Sequence, residues 1–211
     1  MTDRRPIASR DTGWAHALTR RLAARGVTPN QISIASMGFA ALAGLALYAG
    51  AEGQGAGRVI LLILAALFCQ LRLICNLLDG MVAVEAGQGA PDGPFWNEAP
   101  DRVSDLLIFV GLGYGLGLPE LGWAAAALAI GAAYVRELGR ASTGENDFCG
   151  PMAKPHRMAL ITGAAVLTCF EGVWGSNPAV LPIALWVVVI GTAATIVRRS
   201  MRMIAHMKNG A

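Results

Sequence analysis

Charged residues are scarce in this chain of 211 residues. Asp, Glu, Lys and Arg together make up 15% of it, whereas a typical soluble domain carries about 25%. Hydrophobic residues account for 55%, and the mean hydropathy is +0.50. These values argue against a soluble domain. The net charge of +3 fits a membrane-topology signal with attraction for anionic lipid, and we expect no nucleic-acid partner.

Cysteine is also rare, and its placement excludes two common uses. Cys69, Cys75, Cys149 and Cys169 lack the spacing of metal ligands and fall in apolar or predicted cytoplasmic segments. We therefore expect free thiols and no disulfide framework. Residues 1–30 lack the apolar core of a secretory signal peptide, so none is predicted.

Long apolar runs dominate the remaining sequence. A helix needs about 20 residues to cross the hydrocarbon core of a bilayer. The first, second and sixth of six apolar stretches reach this length, and the other three reach it when their polar flanks are included. We predict an all-α integral membrane protein with six transmembrane helices; five is the alternative. The stretches are 32–50, 59–78, 103–118, 122–138, 158–173 and 179–197.

The distribution of Lys and Arg predicts the orientation of the chain. Basic residues precede the first stretch, follow the sixth and occupy alternate loops, whereas the other loops contain Arg58 alone. The positive-inside rule then places both termini on the cytoplasmic side of the inner membrane. The residues predicted on that side are Arg4, Arg5, Arg10, Arg20, Arg21, Arg25, Arg102, Arg136, Arg140, Lys154, Arg157, Arg198, Arg199, Arg202 and Lys208.

The N-terminal segment predicts an amphipathic interfacial helix over residues 12–25. Leu18 and Leu22 mark its apolar side, and arginines mark the other side. The alternative is an unstructured basic tail. Thr28-Pro29 is typical of an N-cap followed by proline, so the first span should begin there. With no internal repeat, we predict one membrane-embedded unit over 1–211: a cytoplasmic amphipathic segment (1–30) and a six-helix bundle (32–204).

Oxygen-bearing side chains lie at the end of the second stretch and the start of the third. Asn76 and Asp79 are three residues apart, and Asp101 and Asp105 are four apart, so each pair lies on one helix face. Carboxylates at a membrane edge need a partner, and a divalent cation is the natural one. Ordinary helix-end placement would explain Asp101, but it explains neither Asp79 nor Asp105.

These residues resemble the signature of CDP-alcohol phosphotransferases, which is D-x-x-D-G-x-x-A-R, a spacer, and G-x-x-x-D-x-x-x-D. Asp79-Gly80-x-x-Ala83 and Asp101-x-x-x-Asp105 match it. Asn76 replaces the first aspartate, Val84 replaces the arginine, the spacer is longer, and Asn97 fills the glycine position. Six spans, cytoplasmic termini and a T-P-N stretch, here Thr28-Pro29-Asn30, also agree with the family.

The resemblance implies a chemistry and a role for each matched residue. A phosphatidyl or related group would pass from a CDP-linked donor, with CDP-diacylglycerol favoured, to an alcohol, and CMP would leave. Asp105 would be the general base. Mg²⁺ or Mn²⁺ would be the cofactor. The metal would be held by Asn76, Asp79, Asp101 and Asp105, and the nucleotide by Asn76, Gly80 and Ala83.

A second group of residues is basic: Arg136, Arg140, Lys154 and Arg157. The resemblance places an acceptor or diphosphate pocket in this region, and guanidinium groups suit phosphate. A phosphate-bearing acceptor is therefore one expectation. The alternative is that these residues only set topology.

Several hypotheses remain open from the sequence. A degenerate family member would bind lipid or nucleotide without turnover, and a small membrane transporter is a weaker alternative. The family also implies a homodimer. Arg72 lies deep in the second stretch, where we expect it to pair with Glu137 or with lipid phosphate. The glycine series from Gly111 to Gly117 predicts close helix packing, within the chain or between subunits.

Overall fold

The computed structural model describes residues 12–85, 87, 91–144, 146–174 and 179–209. Helices make up 87% of the structure, and the described residues contain no strand, which confirms the all-helical class. Predictions that concern Arg4, Arg5 and Arg10, residues 88–90 and residues 175–178 lie outside the described residues. The helices are α1 (Gly13–Ala24), α2 (Pro29–Glu52), α3 (Gly55–Glu85), α4 (Gly93–Gly115), α5 (Pro119–Thr143), α6 (Lys154–Thr168), α7 (Glu171–Trp174) and α8 (Val180–Asn209).

Four helices in the described part of the chain are long and apolar enough to cross a membrane: α2, α3, α5 and α8. The predicted third and fifth spans fall on α4 and α6. α6 has only 15 residues, about 22 Å of helix, and α4 carries several charged side chains in its first half. The first, second, fourth and sixth predicted spans therefore have matching helices, and the other two stay predictions.

α1 and α2 begin and end where the sequence predicts. Thr28 caps α2 in a capping box with Gln31, and Pro29 is its first residue. α1 packs across the last turns of α3, where Ala15 contacts Leu77 and Met81. α1 thus lies beside the end of α3 that carries the polar residues.

Glycines bring α4 very close to its neighbours. A Cβ atom on Gly113 would lie 2.6 Å from the Cα of Gly122 in α5, and one on Gly111 would collide with the backbone of Gly44 in α2. The predicted close packing therefore occurs within the chain, between α4 and both α2 and α5. This contact fixes the position of α4 relative to α2.

The apolar core lies between α2, α3, α4, α5, α6 and α8, around Leu47, Leu62, Phe109 and Leu185. One end of the bundle is polar. There α2 begins, α3 ends, and α4 and α6 begin, so side chains from four helices can meet. We call this the polar end. At the opposite end Arg58 of α3 forms an ion pair of 3.0 Å with Glu171 of α7.

Candidate active site

The two halves of the polar motif meet directly at the polar end. Asn76 of α3 donates a hydrogen bond of 2.6 Å from Nδ2 to Oδ1 of Asp101 on α4. Asp105 lies one turn further along α4, on the same face. The structure therefore brings Asn76, Asp101 and Asp105 together, as the spacing predicts.

Two serines of α2 orient the α3 residues. Ser33 donates a hydrogen bond of 2.7 Å to Oδ2 of Asp79, and Ser36 donates one of 2.8 Å to Oδ1 of Asn76. The other oxygen of Asp79, Oδ1, is buried and has no hydrogen-bond partner in the described part of the chain. Sequence reasoning missed both serines, although their three-residue spacing on an apolar helix is a usable signal.

Arg72 is fully buried and binds both aspartates of α4. Its Nη2 lies 3.0 Å from Oδ1 of Asp105 and 3.4 Å from Oδ1 of Asp101. The predicted pairing with Glu137 is wrong, because Glu137 binds Arg136 and Arg140 of its own helix. Because Arg72 is fully buried, its side chain faces these carboxylates and not the lipid-exposed surface. Arg72 lies one turn before Asn76, so it faces α4 as Asn76 does.

α6 supplies two further cations to the same aspartates. Nη2 of Arg157 lies 2.7 Å from Oδ2 of Asp105, and Arg157 is almost fully buried. Lys154 binds Oδ2 of Asp101. These two basic residues of the predicted acceptor pocket therefore contact the carboxylates directly.

Charge is balanced within this cluster. Each oxygen of Asp101 and Asp105 has an N–H partner. With Asp79 included, three carboxylates face three cations. The cations are Arg72, Lys154 and Arg157. A fourth, Arg102, lies 3.9 Å from Asp101, but it pairs with Glu98 and is not counted in this balance.

The described residues include no group of three or more His, Cys, Asp or Glu side chains arranged to hold a metal ion. The donor set nevertheless fits a hard cation. Asp79 presents a buried oxygen without a partner, Asn76 presents an amide oxygen, and Asp101 could contribute once Lys154 moves away. Mg²⁺ and Mn²⁺ prefer such oxygen ligands. Of the predicted ligands, Asp105 is the one with both oxygens held by guanidinium groups.

The second half of the signature also fits in another register. In this register of G-x-x-x-D-x-x-x-D, the glycine is Gly93, the first aspartate is replaced by Asn97, and the second aspartate is Asp101. This register keeps the glycine, which the register ending on Asp105 replaces with Asn97. Gly93 is the first residue of α4, and Asn97 and Asp101 follow at one-turn intervals. Asp101 is then the last acidic residue of the signature, and Asp105 is an additional one.

The predicted nucleotide residues line one side of α3. A Cβ atom added to Gly80 would meet nothing within 4 Å, so there is open space beside the backbone at this residue. Ala83 is half-buried. Val84, at the position of the family's arginine, is exposed and supplies no charge.

The other two predicted acceptor residues, on α5, lie apart from those of α6. Arg136 donates hydrogen bonds of 2.6 Å to Glu98 and 2.8 Å to Glu137, and Arg140 donates one of 3.0 Å to Glu137. The four basic residues thus form two pairs with different partners. Only the α6 pair contacts the carboxylate cluster.

A cavity of about 150 Å³ lies between the end of α5 and α8. Arg199, which sequence reasoning treated only as a topology residue, is buried there and donates to the carbonyl oxygens of Ala132 and Cys149. Burial raises the pKa of Asp147, but hydrogen bonds from Cys149 and the charges of nearby arginines outweigh it, so that pKa lies below its ordinary value. The cavity therefore combines a charged aspartate with several cations. Its polar lining includes Arg136, Asn146, Asp147, Arg199, Arg202 and His206.

Comparisons with known proteins identify related sequences. No protein-family profile matches the chain. The inner membrane protein YnbA of Escherichia coli is 28% identical over 160 residues, which are 74% of this chain and 70% of YnbA. The phosphatidylinositol phosphate synthase of Mycolicibacterium smegmatis is 26% identical over 185 residues, which are 82% of this chain and 76% of the synthase.

Solved structures show the same fold. The Mycobacterium tuberculosis phosphatidylinositol phosphate synthase PgsA1 with CDP-DAG bound superimposes with a TM-score of 0.73 at 21% identity, over 90% of this chain and 92% of PgsA1. Its complex with manganese and citrate gives a TM-score of 0.74 at 21% identity, over 90% and 88% of the two chains. Together with the sequence matches, they confirm the predicted resemblance.

Proposed function

We infer that the chain is an integral membrane CDP-alcohol phosphotransferase, which transfers a phosphatidyl group from a CDP-linked donor to an alcohol and releases CMP. The observation that carries this inference is the hydrogen bond between Asn76 and Asp101, which joins the two halves of the signature. The fold shared with phosphatidylinositol phosphate synthase and the match to its sequence support it.

We propose that the chain forms one unit of six membrane-spanning helices. α4 and α6 complete the set, and α1 lies in the headgroup plane. The concentration of Arg and Lys beside the polar end supports a cytoplasmic site and cytoplasmic termini. The description of YnbA as an inner membrane protein supports the same membrane for this chain. A homodimer remains the family expectation.

We propose Asp101, rather than Asp105, as the general base. Both oxygens of Asp105 are held by guanidinium groups, and the residue is 4% exposed. The Asp101 side chain is more exposed, at 13% against 5% for Asp105. Its Oδ1 accepts hydrogen bonds from Asn76 and Arg72, but its Oδ2 is held by Lys154, whose long side chain can move. The acceptor hydroxyl would give its proton to Asp101 as its oxygen bonds to phosphorus, and the bond from phosphorus to CMP would break.

A divalent metal, Mg²⁺ or Mn²⁺, would be held by Asp79, Asn76 and Asp101. When bound, it would neutralise the diphosphate and stabilise the leaving CMP. The manganese in the PgsA1 complex supports such a cofactor. Ser33 and Ser36 would keep the oxygens of Asp79 and Asn76 directed toward it.

The donor would approach through the open space beside Gly80, next to Ala83 and Asn76. The CDP-DAG bound to PgsA1 favours CDP-diacylglycerol as the donor. For the acceptor we propose an alcohol that carries a phosphate, such as glycerol 3-phosphate or inositol phosphate. The cavity lined by Arg136, Arg199 and Arg202 supports this choice, because arginine binds phosphate through paired hydrogen bonds.

One observation favours a second candidate, a member that binds CDP-lipid without turnover. The carboxylates are neutralised by protein cations, and Asn76 lacks the charge of the family's aspartate. The deciding experiment incubates the purified chain with labelled CDP-diacylglycerol and a set of alcohols, with Mn²⁺ or with a chelator. We expect Mn²⁺-dependent and acceptor-dependent CMP release. Donor binding without CMP release for every alcohol would favour the second candidate.

A further inference from the structure

We propose that Arg72 is a built-in counter-ion of the aspartate cluster, which competes with a divalent cation for Asp101. The proposal rests on the proposed function only for the identity of the site. One nitrogen of Arg72 lies 3.0 Å from Asp105 and 3.4 Å from Asp101. The guanidinium thus occupies a place between two carboxylates, where a bound cation would otherwise neutralise them.

The burial of Arg72 shows that its charge depends on these carboxylates. Its side chain is fully buried, and Nε and Nη1 have no hydrogen-bond partner in the part of the chain described. Burying a cation is costly unless carboxylates compensate for it. Asp101 and Asp105 provide that compensation, so the three side chains form one charge-coupled group.

Asn76, like Arg72, reduces the need for a metal ion between the carboxylates. It lies one turn after Arg72 on α3 and donates a hydrogen bond of 2.6 Å to Oδ1 of Asp101, the oxygen that Arg72 also contacts. An aspartate at residue 76 would repel Asp101 at this distance, and a cation would be needed between them. With asparagine and Arg72 present, the cluster is neutral without a metal.

Because the carboxylates are already neutralised by protein groups, we expect the natural chain to bind a divalent metal ion weakly. A divalent ion can use Oδ1 of Asp79 freely, but it must compete with Arg72, Asn76 and Lys154 for Asp101. Replacing Arg72 with an apolar side chain of similar volume would free carboxylate oxygens and leave the cluster with one net negative charge. Cation affinity should then rise, which is the opposite of the loss expected when a binding residue is removed.

The test measures Mn²⁺ binding to the full chain in detergent micelles by electron paramagnetic resonance of the free ion. We expect Arg72→Met to bind Mn²⁺ roughly tenfold more tightly than the natural chain. Asn76→Asp should also tighten binding. The matched control is Arg58→Met, which removes the other arginine–carboxylate pair of α3 at the opposite end of the bundle and should leave Mn²⁺ affinity unchanged.

Circular dichroism and size-exclusion chromatography establish that each variant is folded. Equal or weaker Mn²⁺ binding by folded Arg72→Met overturns the proposal. If Arg72→Met does not fold, Arg72→Gln, which keeps hydrogen-bond donors but removes the charge, decides: tighter binding supports the proposal, and unchanged or weaker binding overturns it. Mn²⁺ binding needs no donor or acceptor, so absence of CMP release would contradict the proposed function alone.

Discussion

Arg72 of α3 donates a hydrogen bond of 3.0 Å to Asp105 of α4, and both side chains are buried. Arg157 of α6 holds the other oxygen of Asp105 at 2.7 Å, so this carboxylate joins three helices. Both oxygens of Asp105 are thus occupied by guanidinium groups, and neither is available to a substrate hydroxyl. This arrangement suits a structural role for Asp105 and supports our proposal that Asp101 is the general base.

Replacing Asp101 should stop catalysis. Asp101→Asn keeps the size of the side chain but cannot accept the hydroxyl proton, so CMP release should fall by roughly 10²–10⁴-fold. Donor binding, followed by equilibrium dialysis with labelled CDP-diacylglycerol, should persist. Glu120→Gln, in the first turn of α5 at the other end of the bundle, is the control. Normal turnover by Asp101→Asn would remove Asp101 from the mechanism.

Replacing Arg157 should mainly reduce stability. Arg157→Met leaves Asp105 with one cation in a buried site, and such a change costs about 3–5 kcal/mol of unfolding free energy. Arg140→Met is the control, because the Arg140 side chain is 53% exposed and its pair with Glu137 should contribute at most about 1 kcal/mol. Reversible unfolding by SDS titration in mixed micelles measures the free energy of unfolding of both variants. Equal losses in the two variants would contradict the prediction.

The α3–α4 cluster could be predicted because helix geometry is local. The spacings within Asn76–Asp79 and Asp101–Asp105 fix which side chains share a face, and the loop between the helices returns the chain. The start of α2 was predictable for the same reason, since the capping box of Thr28 and Gln31 is formed by neighbours in sequence.

The partners of long polar side chains could not be predicted. Whether Arg72 reaches Glu137 or Asp105 depends on which helices are adjacent to α3, and that arrangement is set by contacts between residues far apart in sequence. Ser33 and Arg199 were missed for the same reason, since their partners lie on other elements. The spacing of residues along one helix carries no information about how that helix is rotated relative to its neighbours.

The contact between α2 and α4 should tolerate no side chain. A Cβ atom on Gly44 would collide with the backbone of Leu107, whereas one on Gly38 of the same helix would meet nothing within 4 Å. Gly44→Ala should therefore cost roughly 1–3 kcal/mol, and Gly38→Ala should be neutral or stabilising. Thermal unfolding in detergent, followed by circular dichroism, compares them. A stable Gly44→Ala protein would show that α2 and α4 can separate without cost.

The cavity between α5 and α8 should determine acceptor affinity. Arg202 lines this cavity and pairs with Asp147 at 3.4 Å. Because its side chain is more than half exposed, its guanidinium is also available to a phosphate group. Arg202→Gln should raise KM for a phosphate-bearing alcohol about tenfold and leave kcat and donor KM nearly unchanged, because Arg202 pairs with Asp147 and with none of the three carboxylates of the cluster.

The control for Arg202→Gln is Arg198→Gln, which removes an exposed arginine of α8 that does not line the cavity. Steady-state rates of CMP release, measured against acceptor concentration at fixed donor, separate the two parameters. The contrast also tests the class of acceptor, since an alcohol without phosphate should lose little affinity in Arg202→Gln. If KM for the phosphate-bearing alcohol stays the same in both variants, this cavity does not bind the acceptor phosphate.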